Sequence, residues 1–216
     1  MCRLDEVNIQ LISPSSVSRI ARSDNRRLSV VIAGFGYNLD MPIFYYLWRL
    51  LKNSPTDVLQ IDFGYSKDFR FLGLSESEQD KKFDSDIDSI RKFLETSEYT
   101  ELVLIGKSLG STACHQLLQS AYISDRTIGV LWLTPGTAAK AIGKSLESNG
   151  TQNLLVYGTK DSYAEQLEIE ALTKLKNVEV FSVENGNHSL ETDDLSESIN
   201  FLEGVIGCIG KFLGQI

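Results

Sequence analysis

Histidine is the scarcest chemistry-bearing residue in this 216-residue chain, which holds only His115 and His188. Neither sits in a histidine–carboxylate cluster with metal-ligand spacing, so no metal site and no cofactor are expected. Cysteine is almost as rare. Cys2, Cys114 and Cys208 are odd in number, far apart and without a C-x-x-C pair, which excludes a disulfide framework and favours a reducing compartment. No stretch approaches the roughly 18 apolar residues of a membrane span. The apolar run 201–216 is broken by Glu203, Lys211 and four glycines, and reads as a docked helix. The opening MCRLDEVNIQ has no apolar core of a secretory signal, so the expected location is cytoplasmic. Basic residues are outnumbered 21 to 29, a net charge of −8. That field repels polyanions, so no nucleic-acid partner is expected. The one dense basic cluster, Arg19, Arg22, Arg26 and Arg27, reads as a solvated edge. No repeat and no long polar linker divides the chain, which is expected to form one domain over 1–216.

What is present is a folded composition, 42% hydrophobic and 23% charged. Short β-branched runs recur at 28–33 (LSVVIA), 58–61, 101–105 (ELVLI), 128–133 (IGVLWL), 153–157 (NLLVY) and 178–183 (VEVFSV). Three of them are almost continuously apolar, as strands covered on both faces of a parallel sheet must be. Helical patterns lie between them at 42–52, 76–96, 109–122, 137–148, 162–176 and 195–213. Alternating strand and helix implies an α/β fold, a mostly parallel sheet with helices on both faces. Residues 7–12 and 17–21 flank Ser13-Pro14-Ser15-Ser16 and read as an antiparallel hairpin at the N-terminal sheet edge. The segment 62–80 is too short for a separate lid, so an open site is expected.

The strongest local motif is Gly106-Lys107-Ser108-Leu109-Gly110, of G-x-S-x-G form, between the strand ELVLI and a helical pattern. A serine on so sharp a turn takes up a strained backbone, and side chains two positions either side would collide with neighbouring chain. The turn lifts the hydroxyl to a helix N-terminus, where negative charge is favoured. The hydroxyl needs a base. His115 lies two helical turns beyond Ser108, about 10 Å along the axis, and is out of reach. His188, in Asn185-Gly186-Asn187-His188-Ser189, follows the last strand and emerges at the same sheet edge. Asp161, after NLLVY and the turn Gly158-Thr159-Lys160, is the group to orient it, in the chain order Ser, Asp, His. An N-cap is the plainer role for Asp161. The amides of Leu109 and Phe35 are the candidate oxyanion donors. A P-loop is excluded because position 101 is Glu101, and a dinucleotide fingerprint because position 39 is Leu39 and the helix waits until Pro42.

These segments, together with Ala33-Gly34-Phe35-Gly36, Ile61-Asp62-Phe63-Gly64-Tyr65-Ser66 and Gly158-Thr159-Lys160-Asp161, resemble an α/β-hydrolase from residue 29 to about 212, most closely the compact lidless members. Ala33 stands where that family often has histidine. The resemblance implies a three-layer fold and a serine hydrolase of esterase or thioesterase type acting on a small acyl compound through Ser108, His188 and Asp161. Phe35, Tyr37, Tyr65 and Phe69 are either walls of an acyl pocket or core aromatics, and the sequence leaves both open. Lys107 is expected to point to solvent, with attraction of anionic substrates as the alternative. Two other functions share the pattern: a non-catalytic binding protein on the same fold, and an acyltransferase.

Overall fold

Successive residues of a strand point to opposite faces, so a continuously apolar strand feeds two cores at once. That division organises the computed structural model, which describes residues 3–6, 17–22, 26–148 and 151–216. Its strands are β1 (Arg3–Glu6), β2 (Val17–Arg22), β3 (Arg27–Ile32), β4 (Asp57–Asp62), β5 (Glu101–Lys107), β6 (Thr127–Leu133), β7 (Gln152–Gly158) and β8 (Val178–Val183). They form one sheet in the order β1-β2-β4-β3-β5-β6-β7-β8. The six strands from β4 to β8 in that order are parallel. Helices are α1 (Pro42–Lys52), α2 (Phe69–Leu72), α3 (Glu76–Thr96), α4 (Leu109–Leu117), α5 (Ala121–Ser124), α6 (Ala139–Ser148), α7 (Ile169–Leu172) and α8 (Leu195–Leu213).

Leu28, Val30, Ile32, Leu102 and Leu104 face a core shared with Ile87 and Ile90 of α3, Cys114 of α4 and Ile142 of α6. Val31, Val103 and Ile105 face the other, with Phe44 and Leu47 of α1 and Val205 and Ile209 of α8. The helices start where local chemistry starts them. Pro42 occupies the first turn of α1, where a missing N–H costs nothing. Ser75 and Glu78 form a capping box on α3, the Ser75 amide donating to Glu78 Oε2 at 2.9 Å. Asp194 caps α8 by accepting from the Glu197 amide at 2.9 Å.

Three expectations are corrected. Residues 7–12 lie outside the described residues, and the antiparallel neighbour of β2 at the sheet edge is instead β1, with Leu4 opposite Ala21; β2 also runs antiparallel to β4. The expected helix over 162–176 is a 3-10 turn, Ala164–Gln166, followed by the single turn of α7. In one continuous helix Leu167 and Leu172 would point about 140° apart. The break at Glu168 lets both bury in the same core. The expected helix over 109–122 is divided into α4 and α5. Of the arginine cluster, Arg27 is half-buried and donates to Glu101 Oε2 and to the Ile216 carbonyl, both at 2.9 Å. The side chains of Arg19 and Arg22 lie outside the described residues. Among the described residues, no helix is long and apolar enough to cross a membrane.

Tyr65 takes the core alternative of the two left open for it. Its ring stacks on Phe71 at 3.9 Å and on Phe63 at 5.1 Å. Its hydroxyl donates to the fully buried carboxylate of Asp86 at 2.5 Å, which Lys82 also contacts at 2.6 Å. Burial and the Asp86 carboxylate hold the phenol above its ordinary pKa. Tyr65→Phe leaves that carboxylate one donor short, and denaturant unfolding should show a loss of about 1–3 kcal/mol.

Candidate active site

One residue separates the end of β5 from the start of α4. It is Ser108, with φ 53° and ψ −113°, a conformation that costs a non-glycine residue about 1–3 kcal/mol. Backbone contacts hold it there. The Ser108 amide donates to the Leu133 carbonyl at 3.0 Å, and the Ser111 amide donates to the Ser108 carbonyl at 2.9 Å. The Ser111 hydroxyl closes the turn by donating to the Gly106 carbonyl at 2.7 Å. The two motif glycines are steric requirements. A Cβ on Gly106 would lie 2.4 Å from the Gly110 carbonyl oxygen, and one on Gly110 would lie 2.1 Å from that of Ile32. A Cβ on Gly136, in the loop after β6, would lie 3.4 Å from Ser108 Oγ, so that loop walls the hydroxyl.

Because the strands are parallel, the loops after β3, β5, β6, β7 and β8 open at one edge. There His188 Nε2 lies 2.8 Å from Ser108 Oγ, and His188 Nδ1 lies 2.7 Å from Asp161 Oδ2. Asp161 is buried, and its other oxygen accepts from the Tyr163 amide at 3.0 Å. The carboxylate therefore both caps its turn and holds the imidazole. Asn187 shapes the histidine loop by accepting from the Ser189 amide at 2.7 Å. The His188 side chain keeps 35% exposure, so the site is reachable from solvent. His115 is elsewhere, its Nδ1 3.3 Å from Ser145 Oγ.

Lys107 contradicts its sequence expectation. Its side chain has no solvent exposure. Nζ donates to Thr134 Oγ1 at 2.6 Å and to the His188 backbone carbonyl at 2.7 Å. It also lies 4.6 Å from the centre of the Tyr37 ring. Burial pulls its pKa down from 10.5 to about 7, against the opposing pull of Asp161 and Glu191. The last residue of a strand buried on both faces points into the structure, and the charge of lysine masks this in the sequence. Thr134 was also missed. It has φ 40°, an outlier for a β-branched residue; the Thr-Pro-Gly run ending β6 was its only sequence signal. Tyr163, whose ring centre lies 5.2 Å from that of His188, carried none.

The remaining candidates divide. Leu109 opens α4, where a first-turn amide has no acceptor within the helix. Phe35 follows Gly34, on which a Cβ would lie 3.3 Å from Ser108 Cβ. Phe35 is 44% exposed and Phe69 87%. Tyr37 is buried, its hydroxyl accepts from the Ile43 amide at 3.3 Å, and burial raises its pKa to about 12. It also lines a cavity of about 320 Å³ with Ile43, Leu190, Glu191 and Ile199.

A strained serine, a histidine and a buried aspartate in one hydrogen-bonded line, at the carboxyl edge of a parallel sheet between two helical layers, define an α/β protein built around a nucleophile elbow. The family model described as an alpha/beta hydrolase domain matches residues 26–201, and the chain belongs to that family. Solved structures share the fold. A predicted CIB-like hydrolase from Thermoplasma acidophilum has a TM-score of 0.64 at 17% identity, over 98% of this chain and 100% of its own. A dienelactone hydrolase from Anabaena variabilis has 0.65 at 14%, over 99% and 98%. A lidless α/β serine hydrolase from Xanthomonas campestris has 0.60 at 13%, over 99% and 94%. No curated protein matches the chain in sequence.

Two measurements check this geometry. Gly110→Ala must displace either α4 or β3, and should destabilise by about 1–3 kcal/mol or prevent folding, as read by denaturant melts. Between pH 7 and 10.5 the unfolded chain keeps the Lys107 proton while the folded chain sheds it, so stability rises with pH across that window, and the burial penalty is fully present below it. The melting temperature of Lys107→Met relative to wild type should therefore be highest below pH 7 and fall toward pH 10.

Proposed function

We propose that this protein is a serine hydrolase that cleaves a small ester, thioester or related acyl compound through an acyl-enzyme. The observation that carries the reading is the unbroken path from Ser108 Oγ through His188 to Asp161, at 2.8 and 2.7 Å, ending on a carboxylate buried from solvent. With its proton on Nδ1 donated to Asp161, His188 presents Nε2 to accept the Ser108 proton as Oγ bonds to the substrate carbonyl carbon. The developing oxyanion takes hydrogen bonds from the Leu109 and Phe35 amides. His188 then gives its proton to the leaving group, and water repeats the sequence to free the acid. The partial exposure of His188 supports access of that water. The half-exposed Phe35 ring supplies apolar surface for the acyl group. Ester chemistry agrees with the name of the Anabaena relative, a dienelactone hydrolase.

A fluorophosphonate probe should label Ser108 in the wild type and nothing in Ser108→Ala. Turnover of p-nitrophenyl acetate should fall by up to about 10⁶ in Ser108→Ala and by about 10⁴ in Asp161→Asn, which leaves the imidazole in the wrong tautomer. Labelling of a different residue, or unchanged turnover in Ser108→Ala, overturns the assignment.

A further inference from the structure

We propose that Lys107 is a positioning residue for this site: its buried ammonium holds the backbone carbonyl of His188, and so keeps the imidazole on Ser108. The proposal rests on the hydrolase reading above. An ammonium has three N–H donors, and three partners surround this one: Thr134 Oγ1 at 2.6 Å, the His188 carbonyl at 2.7 Å and the Tyr37 ring at 4.6 Å. They come from the loops after β6, β8 and β3, while Lys107 ends β5. One side chain thus ties together four of the segments that build the site. Because Lys107 and Ser108 are consecutive, the clamp on the histidine loop is referenced to the nucleophile through a single peptide bond.

A structural role alone does not account for a charge here. Asp161 is engaged by His188 Nδ1 and the Tyr163 amide, and an apolar side chain of similar length would fill the position without the desolvation cost. The charged and titratable groups facing the ammonium are Asp161, Glu191, Tyr37 and His188. Loss of its proton at higher pH removes one donor and the cation–ring attraction, so the clamp loosens as pH rises.

The test is the rate of Ser108 labelling by a fluorophosphonate, resolved into inhibitor affinity and maximal rate, across pH. Lys107→Met should lower the maximal rate about ten- to a hundred-fold with affinity unchanged, the effect of a misplaced catalytic group. Lys107→Gln, which restores a neutral donor, should recover part of that loss. The wild-type rate should decline on the alkaline side, and that decline should be missing in Lys107→Gln. Thr134→Val keeps the ammonium and removes one acceptor; it should slow labelling less than Lys107→Met, and it carries the test with the pH profile if Lys107→Met does not fold. Wild-type rates in the variants that fold, with one alkaline profile for wild type and Lys107→Gln, overturn the role of Lys107 alone. Failure to label wild-type Ser108 overturns the hydrolase reading and this proposal with it.

Discussion

The α-carbon of Gly110 passes so close to the Ile32 carbonyl that no Cβ fits between them. That approach, with the matching one of Gly106 against Gly110, forces the chain to reverse from strand to helix within one residue. Ser108 inherits the positive φ that this reversal demands. Its hydroxyl stands clear of the sheet for the same reason. The strain is held by the hydrogen bonds to Leu133 and Gly106 and by the packing of α4 against β3 and β5, and it persists because the surrounding structure over-determines it.

The second constraint is electrostatic. A cation beside Ser108 has been removed from water and given two oxygen acceptors and an aromatic face in exchange. The acceptors belong to the loops after β6 and β8, which also meet the elbow at Ser108 itself, through Gly136 and the His188 imidazole. The result is a junction of β3, β5, β6 and β8 loops around one nitrogen, with Asp161 from the β7 loop completing the edge. Conditions that favour the neutral amine stabilise the fold while weakening this junction, so stability and site order respond to pH in opposite directions at this residue.

The strand β8 was legible to the residue as a β-branched run, and the helices α1, α3 and α8 because each combines a clean period with a local start signal: Pro42, the Ser75–Glu78 box, the Asp194 cap. The segment after β7 was not. Its helical composition is real, but Leu167 and Leu172 both find the core only if the helix breaks, and no local pattern encodes that demand. Tyr65 and Tyr37 were ambiguous for a related reason: an aromatic residue reads alike on a pocket wall and in a core until its neighbours are known.

The six parallel strands, the helices α1, α3 and α8, the elbow with its two glycines and the candidacy of Ser108, Asp161 and His188 follow from the sequence by itself, since periodicity, glycine placement and the scarcity of histidine are local or countable properties. The burial of Lys107, the strained Thr134 that receives it and the division of the aromatics between core and surface were decided only by the tertiary structure. Each depends on which loops meet at the sheet edge, and a desolvated charge is tolerated or refused according to partners that lie 27 and 81 positions away along the chain.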